Sequence, residues 1–186
     1  MELNTYPLVC TRGVVLYPNQ EIVIDVGRDT SVHAVENAQD NYDKKICLFS
    51  QKELEKENPG KEDIYPVGTL CEVRHIRRFD NFLRVKFRGI KRVKLNNWIN
   101  GSLSDLAEVE ILESEKQDAV EEEALIRMIA DELDRMQGQD RFVTKEIVME
   151  ISKGMGGEFL SDKAVQGLPL DLSLIHISEP TRQEAI

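Results

Sequence analysis

Apolar and polar residues alternate along much of the first 115 residues, which is the two-residue period of a β-strand. In the run EIVIDVG, Ile22, Ile24 and Val26 fall on one side of such a strand and leave a less apolar face opposite. The preceding run GVVLYP, residues 13–18, is rich in β-branched residues and ends at Pro18, a turn signal. The pattern therefore predicts two strands joined by a turn.

A short helix is predicted to follow these strands. Thr30 is placed to cap it, and Val32, Val35 and Ala38 follow at helical spacing. The next apolar run, KICLF at 45–49, is short and mostly free of polar residues, which is typical of a buried strand.

The stretch 74–94 combines a strand pattern with a concentration of positive charge. The run RRFDNFLRVKFRG, residues 77–89, predicts a hairpin. In its second half Leu83, Val85 and Phe87 alternate with Arg84, Lys86 and Arg88. The apolar set is expected to face a core and the basic set to face water. This alternation explains a strand, but it leaves open why the outer face is basic rather than mixed.

The period changes to that of a helix after about residue 115. An amphipathic helix is predicted from an apolar stripe at three- and four-residue spacing, with Gly138 as its end; the stripe consists of Leu125, Met128, Ile129, Leu133 and Met136. Two shorter helices are predicted beyond it, one capped by Thr144 and one containing Phe159 and Leu160. The chain is thus expected to be α+β, with a β-rich part at 1–115 and a small helical bundle at 116–171.

Composition favours a globular protein of a reducing compartment. The chain has 186 residues, of which 41% are hydrophobic and 31% charged. Its three cysteines form no CxxC pair, no apolar run approaches the ~20 residues that span a bilayer, and the start lacks the pattern of a secretory signal. A cytoplasmic location with no membrane partner is expected.

The charge is unevenly distributed. The formal net charge is −10, yet residues 74–94 contain nine basic residues and one acid. Much of the compensating acid lies in EVEILESEKQDAVEEE, residues 108–123. This acidic balance disfavours indiscriminate nucleic-acid binding.

Catalytic and metal-binding patterns are missing from the sequence. Gly60-Lys61 lacks the first glycine and the hydroxyl residue of a phosphate-binding loop, and no GxSxG or HExxH pattern occurs. Cys71 and His75 share one face of a regular strand, but a zinc site generally needs three or four ligands. The chain alone is predicted to be no enzyme and to hold no metal or cofactor.

Several motifs over residues 5–170 occur in an order that matches the pattern of one protein family. The first lies in TRGVVLYPNQEIVIDVGRDTSVHAVENA, where the matching positions are Arg12, Gly13, Tyr17, Pro18, Val26, Gly27 and Arg28. The second lies in DIYPVGTLCEVRHI, on Tyr65, Val67, Gly68 and Thr69, and a strand–glycine–strand element follows with Gly89. In their order and spacing these motifs resemble the N-terminal domain of the ATP-dependent protease Lon, although Val9-Cys10-Thr11 and Arg88 depart from the pattern of that family.

The resemblance implies a PUA-like pseudo-barrel with one short helix that recognises unfolded, damaged or degron-bearing proteins. It also implies assembly as a hexamer in a longer protein, whose ATP- and Mg-dependent ATPase module and serine–lysine protease module are absent from this chain. A client-binding surface is expected on the loop residues and hairpin tip formed by Tyr17, Pro18, Arg28, Asp29, Phe79 and Phe82.

Two alternatives concern the basic stretch. With Phe79 and Phe82 it could form a single-strand RNA platform across residues 74–94. Arg84, Lys86 and Arg88 could instead dock on the acidic helix of the same or a neighbouring subunit, a contact that salt would weaken.

The last 15 residues, 172–186, are set apart. LSLIHISEPTR resembles the translation of a sequencing-library adapter, so the stretch is interpreted as a non-native tail; the alternative is a genuine short tail.

Overall fold

Six strands and one helix form the N-terminal part of the computed structural model, which describes residues 3–113, 119–136, 157, 161 and 162. The strands are β1 (Leu3–Thr11), β2 (Glu21–Val26), β3 (Lys45–Ser50), β4 (Val67–Arg78), β5 (Leu83–Ile99) and β6 (Leu106–Ile111). The helices are α1 (Asp29–Asn41), a single 3-10 turn at Lys61–Asp63, and α2 (Ala119–Met136). The chain divides into two units between Glu113 and Ser114, two residues before the predicted boundary.

Five of the strands close into a ring. β5 pairs with β4, β4 with β3, β3 with β1, and β1 with β6, which returns to β5. The β1–β3 pair is parallel and the other pairs are antiparallel. β2 stands outside the ring and pairs with β5 alone among the described strands.

Both faces of the central strands are buried. In β3, Ile46 and Leu48 join a core cluster with α1, whereas Cys47 and Phe49 face a second cluster with residues of β5 and β6. A strand buried on both faces is apolar throughout rather than alternating. This explains the run KICLF and confirms the buried strand there.

The predicted hairpin is confirmed. β4 and β5 are joined at residues 79–82, where the Phe79 amide donates to the Phe82 carbonyl at 3.0 Å. Leu83, Val85 and Phe87 are buried, as their alternation with the basic residues predicts.

Irregularities in the β4–β5 pairing decide which side chains share a face. The register advances past Arg74 in β4 and past Ile90 in β5, so each strand carries an extra residue. Cys71 is buried while His75 is exposed. The expectation that these two side chains share a face is therefore wrong, since the bulge at Arg74 reverses the alternation.

The predicted strand at 13–18 is absent. The segment is irregular, although Leu16, Tyr17 and Pro18 are buried. Side-chain hydroxyls form hydrogen bonds with its backbone carbonyls. Ser50 Oγ donates to the Val14 carbonyl at 2.7 Å, and Thr69 Oγ1 donates to the Leu16 carbonyl. These bonds replace a strand ladder, so burial explains the apolar run.

Two further differences concern element bounds. α1 begins at Asp29 with Arg28 at the N-cap position and no side-chain cap, so the capping role predicted for Thr30 is wrong. Val35 and Ala38 are buried on α1 as predicted. β6 has no counterpart among the predicted strands.

The predicted helix after residue 115 is present as α2. Of its predicted apolar stripe, Leu125, Met128 and Ile129 are 48%, 68% and 43% exposed. The side chains of Leu133 and Met136 and the two later predicted helices lie outside the described residues.

Candidate functional site

The Tyr17–Pro18 turn lies on top of β5. The Asn19 amide donates to the Gly89 carbonyl and the Gly89 amide donates to the Gln20 carbonyl, both at 2.9 Å. A Cβ at position 89 would overlap the Tyr17 carbonyl. Tyr17 and Pro18 are themselves buried, so the structure places them as the packed base of a turn.

Arg28 links three segments of the chain. Its guanidinium donates to Gln51 Oε1 at 2.6 Å, to the Lys56 carbonyl at 3.3 Å and to the Cys10 carbonyl at 3.5 Å. Gln51 is fully buried, and its Nε2 also donates to the Lys56 carbonyl at 2.9 Å. Arg28 therefore holds the loop after β3 against β1.

Asp29 occupies the first turn of α1, where a negative charge complements the helix dipole. Its side chain is exposed. Its carbonyl lies 2.7 Å from His33 Nδ1, within the helix.

The hairpin tip forms an aromatic cluster. The Phe79 and Phe82 rings stack with centroids 4.7 Å apart and planes 13° from parallel. The guanidinium carbons of Arg77 and Arg84 lie 5.5 and 5.4 Å from the Phe79 centroid, within the range of a cation–π contact. Both rings are half-buried. The tip therefore presents paired rings flanked by two cations.

The basic face of β5 is partly neutralised by β2. Arg84 donates to both carboxylate oxygens of Asp25 at 2.7 Å, and Lys86 Nζ lies 2.6 Å from Glu21 Oε2. The hydrogen bonds from these cations hold the pKa of Asp25 and of Glu21 below the usual range. Arg88 lies opposite Glu21 across the β2–β5 pair.

The predicted site residues separate into two groups at opposite ends of β2. Tyr17 and Pro18 precede its first residue, whereas Gly27, beside Arg28, approaches Asn81 at the hairpin tip. A six-residue strand of ~3.4 Å per residue lies between them. The predicted residues therefore do not form one continuous site.

Three residues of the candidate site escaped sequence reasoning. Glu21 and Asp25 neutralise the basic face, and Gln51 fixes Arg28. Each pairing depends on a partner more than 20 residues away, and no local pattern encodes strand register. Only the alternation within EIVIDVG, which puts both acids on the outer face, could have suggested the ion pairs.

The cysteines lack the surroundings of reactive thiols. Burial raises the pKa of Cys10 to about 12 and also raises that of Cys47 and Cys71. Within the described part of the chain, no three His, Cys, Asp or Glu side chains gather as metal ligands. None of the helices described there has both the length and the hydropathy of a membrane crossing.

These features define a class: a β-rich domain with a closed ring of strands, one packed helix and a cationic aromatic tip. A family model described as the ATP-dependent protease La (LON) substrate-binding domain matches residues 5–181, which includes most of the adapter-like stretch. The chain belongs to the family of Lon substrate-binding domains.

Known relatives agree with this membership. The chain is 30% identical over 168 residues to the Lon protease of Buchnera aphidicola subsp. Schizaphis graminum, and 35% identical over 151 residues to that of Clostridium acetobutylicum. These alignments include 90% and 79% of this chain but 22% and 19% of the relatives. The ATPase and protease modules of Lon therefore lie outside these 186 residues.

The fold is also that of solved structures. The N terminal domain of Mycobacterium avium complex Lon protease superposes with a TM-score of 0.73 at 16% identity, over 96% of this chain and 91% of that one. A Lon N-terminal domain protein from Xanthomonas campestris superposes with a TM-score of 0.64 at 15% identity, over 95% of this chain and 90% of that one.

Proposed function

We propose that this domain recognises unfolded, damaged or degron-bearing polypeptides for an ATP-dependent Lon-type serine protease. The observation that carries the proposal is the family match over residues 5–181 to a domain described as substrate-binding. The domain itself is non-catalytic, and the proposed ATP and Mg chemistry belongs to modules that lie outside the chain.

The hairpin tip is the most suitable contact surface among the predicted residues. Phe79 and Phe82 are half-buried and already stacked, so a client side chain can cover the remaining ring area without ordering a loop. Arg28 and Asp29 follow Gly27 beside this tip. Tyr17 and Pro18, being buried, are proposed to act by shaping their turn.

Fluorescence anisotropy tests this function. A labelled, permanently unfolded polypeptide is titrated with the full chain and with Phe82→Ala, at low and at moderate salt. Binding should persist at moderate salt and weaken about tenfold in the variant, since an aromatic anchor contributes about 1–2 kcal/mol.

Leu103→Ala is the matched control, because it removes an apolar side chain that is 65% exposed but belongs to the β5–β6 loop. Absence of polypeptide binding by the parent chain would contradict the proposed function. Full binding and stability of both Phe82→Ala and Pro18→Ala would remove these two residues from the site.

RNA binding is measured in the same titration with a labelled single strand. The stacked rings with adjacent arginines favour it, whereas the pairing of Arg84 and Lys86 with acids of β2 reduces the charge available. Steeply salt-dependent RNA binding without polypeptide binding would assign residues 74–94 to a polyanion instead.

The remaining proposals concern architecture and setting. We propose that the closed ring and α1 form a PUA-like pseudo-barrel, supported by the pairing of β5 with both β4 and β6. Residues 116–171 are proposed to form a helical bundle beginning with α2, and residues 172–186 a non-native tail. A cytoplasmic hexamer is proposed for the full-length protein.

A further inference from the structure

One edge of β2 is uncovered in the described structure. β2 is the last strand in the sheet order and pairs along its whole length with β5 on one side. On the other side, no backbone bond to another segment is made by its residues within the described ranges. Such an edge is a template for one more strand.

The first hydrogen bond of the β2–β5 pairing shows which backbone groups of β2 point away from β5. The Gly89 amide donates to the Gln20 carbonyl at 2.9 Å, so the backbone of Gln20 points toward β5. Backbone direction alternates along an antiparallel strand. The amides and carbonyls of Glu21, Val23 and Asp25 therefore point to the uncovered edge.

The side chains along β2 set what an added strand would meet. Ile22 and Ile24 are half-buried and pack against the core that contains α1. On the outer face Val23 is 56% exposed. The carboxylates of Glu21 and Asp25 flank it, each paired with a cation of β5 yet about half exposed, so each keeps oxygen lone pairs open to a second donor. The edge is thus apolar at its three central positions and acidic at both ends.

We propose that this edge binds an extended client segment as a seventh strand, with three apolar residues between two basic ones. In an antiparallel pairing, the first and last residues of that segment lie opposite Asp25 and Glu21, where a cation is favoured. The middle residue covers Val23, and its two neighbours extend the apolar face of Ile22 and Ile24. This inference rests on the proposed function and names the segment that the client contributes.

The same edge disfavours pairing with a second copy of itself. An antiparallel β2–β2 contact centred on Val23 puts Glu21 of each copy opposite Asp25 of the other. Like charges directly opposite one another destabilise a sheet. The acids thereby protect the edge from self-association while leaving it open to a segment with basic ends.

A proline substitution tests the edge directly. Val23→Pro removes the outward amide and blocks strand addition, and an edge position with its amide facing solvent tolerates proline. The matched control Val23→Thr keeps the amide and the β-branch. A labelled peptide containing Lys-Val-Ile-Val-Arg should bind the full chain and Val23→Thr within about twofold, and Val23→Pro about tenfold more weakly. A peptide with glutamate in place of both the lysine and the arginine should also bind the full chain about tenfold more weakly.

N-methylated peptides give a readout that does not depend on the fold of a variant. Methylation of the first, third and fifth residues removes the donors that face β2, and methylation of the second and fourth does not. Only the first series should lose binding. Equal binding by both series, or full binding by Val23→Pro, overturns the strand-addition inference while unfolded-polypeptide binding still supports the proposed function. Failure of the parent chain to bind either ligand overturns both.

Discussion

Gly89 lies where the Tyr17–Pro18 backbone crosses β5, so the absence of a side chain there is a packing requirement. Gly89→Ala would push a methyl group into the Tyr17 carbonyl oxygen and should destabilise the domain by about 3 kcal/mol, at the upper end of overpacking effects. Urea denaturation followed by fluorescence measures the change.

Gly60→Ala is the control for this substitution. An added Cβ there approaches no atom closer than Asp63 Oδ2 at 3.6 Å, an ordinary contact. Its unfolding midpoint should stay close to that of the parent chain. Equal stability of the two alanine variants would contradict the packing role of Gly89.

Single residues also show why part of the site was hidden from sequence reasoning. Arg28 matches a family motif, yet its contacts with Gln51 and the Lys56 carbonyl depend on a loop 23 to 28 residues further along the chain. Tyr17 and Pro18 belong to a recognisable turn, but their burial follows from β5 passing beneath them. The sequence identified these residues as candidates, but it did not reveal how exposed their side chains are in the fold.

At the scale of elements, the β2–β5 pair should lose stability in acid. The pKa values of Asp25 and Glu21 are lowered by their bonds to Arg84 and Lys86, so the ionised carboxylates stabilise the folded state. That stabilisation is fully present above the ordinary carboxyl pKa and is lost as the pH falls below it, through the lower pKa values of the folded state.

Urea midpoints of the parent chain and of Asp25→Asn measure this effect. The difference between them should be present at neutral pH and shrink in acid. Asp80→Asn removes the same charge at the hairpin tip without touching the β2–β5 pair and should leave the midpoint unchanged. A difference for Asp25→Asn that is independent of pH would contradict the role of the ion pair.

Elements with a strong local period were predictable. The alternation of Leu83, Val85 and Phe87 was sufficient to predict a strand within β5, and the helical spacing of apolar residues was sufficient to predict α1. The irregular conformation of segment 13–18 was not predictable from local sequence. The hydroxyls that hydrogen-bond to its carbonyls belong to Ser50 and Thr69, which lie 36 and 53 residues from Val14 and Leu16. β6 was missed although Ala107 and Val109 alternate with glutamates, because those acids dominate its composition.

At the scale of the whole molecule, charge complementarity is partly satisfied within the chain. Lys94 lies opposite Glu110 in the β5–β6 pair, and Lys91 Nζ lies 3.6 Å from Glu113 Oε1. The proposed docking of Arg84, Lys86 and Arg88 on an acidic helix must therefore rely on cations that remain accessible, above all Arg88.

Sedimentation velocity at two salt concentrations tests this docking. Self-association should weaken as salt rises, since exposed ionic contacts are screened beyond about 8–10 Å at physiological ionic strength. Arg88→Gln should weaken it further at low salt, with Arg12→Gln as the charge-matched control. Association that does not respond to salt would exclude the electrostatic contact.

The closed ring has a consequence for biosynthesis. β1, which begins at Leu3, pairs with β6, where Glu110 lies opposite Leu3. While a ribosome is still translating β6, the strands already released cannot close, and β1 and β5 each await a partner. Closure of such distant segments is intrinsically slow and leaves apolar strand edges exposed meanwhile. The nascent domain thus passes through the same condition, an unpaired apolar strand, that it is proposed to recognise in other proteins.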